Sequence, residues 1–221
     1  MLDTLFDKIY VVWGRDPARK EYIQDHFRQC NIDNYTFVDS ITPENLFIKK
    51  DSKFKNVSKA DLPKISILTS VYDGDEFIKP FLEDITQQTI FQDKCELILI
   101  NAASPGNESE VVEEYIQKYP ENIKYKKLDK DPGIYGVWNM ALDMATGEFI
   151  TNANLDDRKH PQSLEKHAKA LYAYDDVDLV YADSFITNKP NETFRNNTSQ
   201  NRRYNFEQFS KEAMLRSSLP H

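Results

Sequence analysis

The chain has 221 residues, of which 40% are hydrophobic and 29% charged, as in a globular protein with one sizeable domain and room for an appendage. Its formal net charge is −8, from 28 lysines and arginines against 36 aspartates and glutamates, and no basic stripe accompanies it, which excludes a typical nucleic-acid binder. No apolar run reaches the roughly 20 residues of a membrane span, and the first residues lack a secretory signal pattern, so we expect no membrane span and a cytoplasmic protein.

The first sixty residues predict a small α/β appendage. A β-branched and aromatic run at residues 8–13 predicts a buried strand, and residues 35–38 predict a second strand. Between them, Asp16-Pro17 predicts the start of a helix that reaches about residue 30. Residues 42–61 show little periodicity and predict a linker. We therefore expect an appendage and linker at residues 1–61 and a main domain at residues 62–221.

The main domain shows strands and helices in alternation. We predict strands at residues 64–71, 96–100, 123–127, 149–153 and 178–182, and helices at residues 76–88, 108–118, 134–145 and 161–174. This order predicts right-handed crossovers and a mostly parallel sheet with helices on both faces. Ligands of such sheets bind beyond the carboxyl ends of the strands, so the loops after Ser70, Ile100 and Ala153 should converge on one edge. Residues 188–203 predict a mobile surface segment, and residues 206–215 a short amphipathic piece.

A cluster of oxygen ligands follows the strand predicted at residues 149–153. Asn154, Asp156 and Asp157 stand at its carboxyl end, where two adjacent carboxylates repel each other and lose hydration, so packing explains them poorly. Such ligands suit Mg²⁺ or Mn²⁺, which binds through one or two carboxylates and the phosphates of a substrate. The pattern predicts a site for a nucleotide diphosphate compound. The alternative is a solvated acidic turn that caps the helix predicted from Pro161.

Four ordered segments resemble one known family, the family 2 glycosyltransferases. Residues 65–73 (ISILTSVYD) are similar to its first strand and turn, and residues 96–104 (ELILINAAS) to its acidic second turn. Residues 131–139 (DPGIYGVWN) resemble its Gly-rich helix start, and residues 145–157 its metal strand and Asp-x-Asp signature. The resemblance spans about residues 64–187. It implies a GT-A fold and an inverting, metal-dependent transfer of a sugar from a nucleotide-diphosphate donor to a glycan or glycoconjugate.

The resemblance also implies the site residues. The nucleotide-sugar contacts would be Ser70, Val71, Tyr72, Asp73, Asn101, Asp131, Asn154, Leu155 and Asp156, and the ligands of Mn²⁺ or Mg²⁺ would be Asp156, Asn154 and Asp157. This chain departs from the family pattern where Asn101, Ala102 and Ala103 replace Asp-Asp-Gly and where Asn154 replaces the first Asp of the signature. We therefore expect weaker metal binding and a different contact with the base. The alternatives are that Asn101 only stabilises its turn and that Tyr72 only covers the sheet edge.

The sequence specifies the sugar donor, the acceptor and the general base less fully. The resemblance implies a UDP-sugar first among donors, and a glycan, lipid-linked or protein-linked acceptor. The family continues past a Pro-His pair into an acceptor region with an Asp or Glu as general base, so we expect the base beyond His221, unless the acceptor half is absent. The first forty residues faintly resemble family 25 lipopolysaccharide-type glycosyltransferases.

Two rival functions remain open. A non-catalytic nucleotide-sugar-binding or scaffold module fits the Asn substitutions. A sugar-nucleotide pyrophosphorylase is disfavoured, because residues 70–74 (SVYDG) lack the Gly-rich, Arg- or Lys-bearing loop of that class.

Overall fold

The computed structural model describes residues 9–12, 35–38, 53–174, 177–182, 184–199 and 203–204. The chain divides into two units, Met1–Lys50 with Phe206–His221, and Asp51–Asn205. In the first unit, strands β1 (Ile9–Val12) and β2 (Tyr35–Val38) pair in parallel, which confirms both predicted strands. The predicted helix at residues 16–30, residues 42–52 of the predicted linker and the amphipathic piece at residues 206–215 lie outside the described residues.

The second unit is built on a parallel sheet. After a 3-10 helix (Lys53–Asn56), its elements are β3 (Ile65–Val71), α1 (Ile78–Thr86), α2 (Phe91–Lys94), β4 (Cys95–Asn101), α3 (Glu108–Lys118), β5 (Ile123–Lys127), α4 (Ile134–Met144), β6 (Phe149–Asn152), α5 (Ser163–Ala173), β7 (Ser184–Phe185) and β8 (Arg203–Tyr204). Strands β3 to β6 pair in parallel in the order β5-β4-β3-β6. The α/β prediction is confirmed. Among the described residues, no helix has the length and apolar character to cross a bilayer.

The two central strands are buried on both faces, because helices cover both sides of the sheet. Ile67 and Leu97 belong to the core cluster that includes the buried sides of α1, α3 and α5. Leu68 and Ile98, one residue along each strand, belong to a second cluster with Val137 and others of α4. This alternation is the two-residue period of a strand, and it explains why both strands are continuous apolar runs in the sequence.

The strand predicted at residues 178–182 is wrong. These residues do not form a strand, and Leu179 is 57% exposed. An apolar run becomes a strand only where a neighbouring strand pairs its backbone groups. Residues 188–199, in the segment predicted to be mobile, form local hydrogen bonds, such as the Asn188 N–H to Thr198 Oγ1 at 3.1 Å and Thr198 Oγ1 to Glu192 Oε2 at 2.7 Å. The mobility of residues 188–203 stays a prediction.

A buried carboxylate joins the strands at the amino end of the sheet. Glu96, near the start of β4, is fully buried. Its Oε1 accepts hydrogen bonds from Ser66 Oγ at 2.6 Å and from the Thr146 N–H at 2.6 Å. Its Oε2 pairs with Lys64 Nζ at 2.7 Å and Lys124 Nζ at 2.9 Å. One side chain thus connects β3, β4, β5 and the loop before β6.

That loop approaches β3 closely at Gly147. Its N–H donates to Ser66 Oγ at 2.8 Å, and a Cβ at this position would lie 2.6 Å from Ser66 N and 2.8 Å from Lys64 O. Any larger residue would push the loop away from the strand.

Burial alone would raise the pKa of Glu96. Hydrogen bonds from Lys64, Ser66, Lys124 and Thr146 outweigh the effect of burial and hold the pKa below its ordinary value.

We predict that Glu96→Gln lowers the free energy of unfolding by about 3 kcal/mol at neutral pH, the lower end of the cost of breaking a buried ion pair because both lysines are partly exposed. Because the folded pKa is depressed, this stabilisation is present above the ordinary pKa of 4.5 and is lost as pH falls below it, by up to about 1.4 kcal/mol per pH unit. Urea unfolding at a series of pH values measures both effects. The exposed Glu121 provides the control, Glu121→Gln, and equal stability of the two variants at neutral pH would contradict the prediction.

Candidate functional site

Three loops leave the sheet side by side at its carboxyl edge. Strands β3, β4 and β6 are parallel neighbours, so their carboxyl ends lie at the same edge. The backbone continues the pairing just past the strands: the Ala102 N–H donates to Val71 O at 2.9 Å, and the Ala153 N–H donates to Leu68 O at 3.0 Å. The expected convergence of the loops after Ser70, Ile100 and Ala153 is therefore present.

Two of these loops touch at Gly74. A Cβ built on Gly74 would lie 2.4 Å from Leu155 Cδ1 and 3.8 Å from Glu108 Oε1. Leu155 is buried at 8% exposure, and it separates Asn154 from Asp156 in the chain. Packing of Leu155 against Gly74 therefore brings the acidic turn to the loop that carries Tyr72.

Glu108 connects the loop after β3 with the loop after β4. It is fully buried at the first position of α3, and its Oε1 accepts hydrogen bonds from the Gly74 N–H at 2.7 Å and from Ser104 Oγ at 2.6 Å. Ser104 Oγ in turn accepts the Asp73 N–H at 2.9 Å. Burial alone would raise the pKa of Glu108, but the bonds from Ser104 and Gly74 hold it below its ordinary value. The carboxylate is therefore ionised at neutral pH and fixes both turns.

Asn101 forms a hydrogen-bonded part of the β4 turn. It is fully buried, its Oδ1 accepts the Ser104 N–H at 2.8 Å, and its Nδ2 donates to the Tyr125 hydroxyl at 3.0 Å. The Tyr125 hydroxyl also bonds Ser109 Oγ at 2.7 Å. The sequence left two roles open for Asn101, a contact with the nucleotide base and stabilisation of its turn. These contacts show that Asn101 stabilises the turn.

The acidic turn leaves its polar side chains exposed. Asn154, Asp156 and Asp157 are all exposed, and Asn154 Nδ2 donates to Asp157 Oδ2 at 3.1 Å. Helix α5 begins at Ser163 with no side-chain hydrogen bond at its N-terminal cap. The alternative that the two carboxylates cap this helix therefore finds no support in the hydrogen bonds.

Arg158 holds the same turn from its backbone side. Its Nη1 donates to Leu155 O at 2.7 Å and to Asp157 O at 2.9 Å. Burial lowers the pKa of Arg158, although an arginine stays charged at neutral pH. The next residue is anchored as well, because the Lys159 N–H donates to Asp84 Oδ2 of α1 at 2.9 Å.

The remaining predicted residues lie at the same edge with fewer contacts. Val71 is buried, Ser70 is partly exposed and Tyr72 is 55% exposed. Asp73 is exposed and has a positive φ of 47°. Asp131, in the loop after β5, accepts the Gly133 N–H at 2.7 Å ahead of α4. No described hydrogen bond or ion pair joins Asp131 to the acidic turn.

The oxygen ligands present fit a hard divalent cation. Among the residues that the structure describes, no three His, Cys, Asp or Glu side chains form a complete metal site. The acidic turn instead offers two exposed carboxylates and an amide oxygen. That partial set suits Mg²⁺ or Mn²⁺, which take one or two protein carboxylates and complete their coordination with phosphate and water.

Sequence reasoning missed two residues that shape this site. Glu108 carried one signal, an acidic residue in the first turn of a predicted helix, but its contact with Gly74 depends on the fold. Arg158 directly follows the acidic pair, yet nothing in the sequence shows that it binds the carbonyls of the turn.

Comparison with known proteins identifies relatives for most of the second unit. The family model described as "Glycosyl transferase family 2" matches residues 66–219. "Minor teichoic acid biosynthesis protein GgaB" of Bacillus subtilis is 34% identical over 92 residues, which are 42% of this chain and 10% of that protein. "Poly(ribitol-phosphate) beta-N-acetylglucosaminyltransferase TarS" of Staphylococcus aureus is 26% identical over 106 residues, 48% of this chain and 18% of that protein.

A solved structure is similar at lower identity. The mannosyltransferase PcManGT of Pyrobaculum calidifontis, in complex with GDP-Man and Mn²⁺, is 20% identical with a TM-score of 0.48, over 54% of this chain and 37% of that one. The chain spans 10% to 43% of the length of the curated relatives it matches first.

Ala103, in the turn after β4, has a strained backbone conformation. Ala103 has a φ of 58°, a left-handed conformation that costs a non-glycine residue about 1–2 kcal/mol. We predict that Ala103→Gly raises the free energy of unfolding by about 0.5–1 kcal/mol, after the entropic cost of glycine in the unfolded chain. Urea unfolding measures this gain.

The neighbouring residue is the control. Ala102 is buried and has no positive φ, so Ala102→Gly should lower the free energy of unfolding by about 0.5–1 kcal/mol. A loss of stability in both variants would show that the conformation of Ala103 stores no strain.

Proposed function

The chain belongs to glycosyltransferase family 2, and from this premise we propose that it is a nucleotide-sugar-dependent glycosyltransferase or the donor-binding portion of one. The observation that carries the proposal is the meeting of three loops at one sheet edge, where Leu155 packs against Gly74 and Glu108 joins Gly74 to Ser104. An exposed acidic turn thereby lies beside the loop after β3. Family membership and this arrangement support a donor site at the edge.

Within this proposal, the donor lies across the carboxyl edge. The exposed ring of Tyr72 is available to stack on the base, and Ser70, Val71 and Asp73 form the adjoining wall. Because the side chain of Asn101 is buried and hydrogen-bonded, we assign it to holding the β4 turn in place beneath the base. Asp131 would act near the phosphates. A UDP-sugar is our first candidate donor.

The acidic turn would hold the metal. Asp156 is the proposed primary ligand, the amide oxygen of Asn154 would contact the metal or the ribose, and Asp157 would keep Asn154 oriented through their hydrogen bond. Mn²⁺ or Mg²⁺ bound there would neutralise the charge that develops on the departing nucleoside diphosphate. Replacement of the first signature Asp by Asn154 removes one charge, so we expect modest metal affinity.

The reaction would be an inverting displacement at the anomeric carbon. Its acceptor would be a glycan or glycoconjugate, lipid-linked or protein-linked, in envelope polysaccharide assembly. The similarity to the minor teichoic acid biosynthesis protein GgaB supports this class of pathway. The cytoplasmic location and the likeness of the first forty residues to family 25 stay predictions from the sequence.

A non-catalytic donor-binding module is the second candidate. The two Asn residues at positions 101 and 154, where the family has Asp, favour it because they reduce the negative charge available to a metal. Calorimetry with UDP-, GDP- and dTDP-sugars, with Mn²⁺ and with chelator, separates the candidates. Metal-dependent binding with slow donor hydrolysis supports the enzyme, and tight metal-independent binding without turnover supports the module. Absence of binding by every donor would contradict both.

We predict that Asp156→Ala weakens Mn²⁺-dependent donor binding by more than about tenfold, because loss of even a group that only orients a metal ligand costs roughly 10–100-fold. Calorimetry with the tightest donor measures this change in Kd. Asp93 is exposed on α2, which precedes β4 and lies at the opposite edge of the sheet, so Asp93→Ala is the control. Equal donor affinity in Mn²⁺ and in chelator for both the wild type and Asp156→Ala would refute the metal role.

A further inference from the structure

One side chain joins the surface segment of residues 184–199 to both sides of the proposed donor site. Asn191 Nδ2 donates to Glu76 O, in the loop after β3, at 3.0 Å. Asn191 Oδ1 accepts a short hydrogen bond from Arg158 Nη2. The same amide thus contacts the loop that carries Tyr72 and the arginine that holds the acidic turn.

Arg158 transmits this contact to the turn. Its Nη1 binds Leu155 O and Asp157 O, while Nη2 binds Asn191. Among the described residues, no ion pair within 4.0 Å joins Arg158 to Asp156 or Asp157. The guanidinium therefore fixes the backbone of the turn and leaves both carboxylates available to a cation.

The segment has its own anchors beside Arg158. The Phe194 ring meets His160 edge-on with centroids 4.6 Å apart and lies 5.3 Å from the Phe185 ring. Asn191 itself has a φ of 59°, a left-handed conformation that asparagine adopts more readily than most residues. These contacts hold the segment in a defined place and turn the Asn191 amide toward Arg158 and Glu76.

We propose that Asn191 is a positioning residue of the donor site: through Arg158 and Glu76 it sets the acidic turn against the loop after β3. The inference rests on the proposed function of that site, and it adds a part of the chain to which the function assigned no role. Loss of the Asn191 amide would free one amino group of Arg158 and loosen the turn. The metal would then bind less tightly, while the core of the sheet would be unaffected.

The test removes the amide without adding backbone strain. Asn191→Gly keeps the left-handed conformation accessible, and we expect it to weaken the apparent Mn²⁺ affinity in the presence of a UDP- or GDP-sugar by roughly tenfold, as for other outer-shell partners of metal ligands. Asn191→Asp keeps the acceptor for Arg158 but loses the donor to Glu76 O, so its loss of affinity should be smaller than that of Asn191→Gly. Asn196→Gly is the matched control, since Asn196 is an exposed asparagine of the same segment.

The readout separates positioning from general stability. Calorimetric titration of Mn²⁺ at saturating donor gives the metal affinity, and thermal unfolding gives the stability of each variant. A tenfold loss for Asn191→Gly, with a smaller loss for Asn191→Asp and near wild-type affinity for Asn196→Gly, supports the proposal. Equal Mn²⁺ affinity for Asn191→Gly and Asn196→Gly, in a protein whose wild type binds the donor, overturns it and leaves the proposed function intact.

Two further outcomes complete the test. A wild type that binds no nucleotide sugar refutes the proposed function and this inference with it. If Asn191→Gly fails to fold, Asn191→Ser decides, because its shorter side chain lacks the amide that joins Arg158 to Glu76. A tenfold loss of Mn²⁺ affinity in Asn191→Ser supports the proposal, whereas unchanged affinity overturns it.

Discussion

The buried carboxylate of Glu96 is the interaction on which the sheet depends. A lone charge in this position would lose the favourable hydration it has in water, yet Glu96 receives hydrogen bonds from Ser66 and Thr146 and charge from Lys64 and Lys124. These partners come from β3, from β5 and from the connection into β6. The side chain therefore specifies which strands are neighbours. It lies at the amino end of the sheet, away from the loops after β3, β4 and β6.

Because Glu96 fixes the strands at the amino end of the sheet, the carboxyl edge is free to carry binding groups. The amino end fixes the strands, the apolar clusters on both faces fix the helices, and the loops after β3, β4 and β6 are held by a few polar contacts of Glu108 and Arg158. Side chains that pack poorly, such as Tyr72 and Asp156, remain exposed at this edge. An open α/β sheet binds its ligands at such a place.

Local patterns in the sequence predicted most elements, and tertiary contacts explain the rest. Helix α3 (Glu108–Lys118) and strand β5 (Ile123–Lys127) match their predicted bounds, because each is a periodic run with clear breaks. The strand predicted at residues 178–182 failed, because a strand needs a partner that its own sequence does not specify. For the same reason, the burial of Asn101 against Tyr125 and the contact of Asn191 with Arg158 could not be predicted from neighbouring residues.

The shared acceptor of Glu108 has a dynamic consequence. One oxygen atom binds both the Gly74 amide and the Ser104 hydroxyl, so neither turn can shift by an ångström without breaking a charge-assisted bond or carrying the other along. The second oxygen, Oε2, is buried and has no described hydrogen-bond partner to replace a broken one. We therefore expect the turn after β3 and the turn after β4 to move together as one unit whenever this edge of the sheet rearranges.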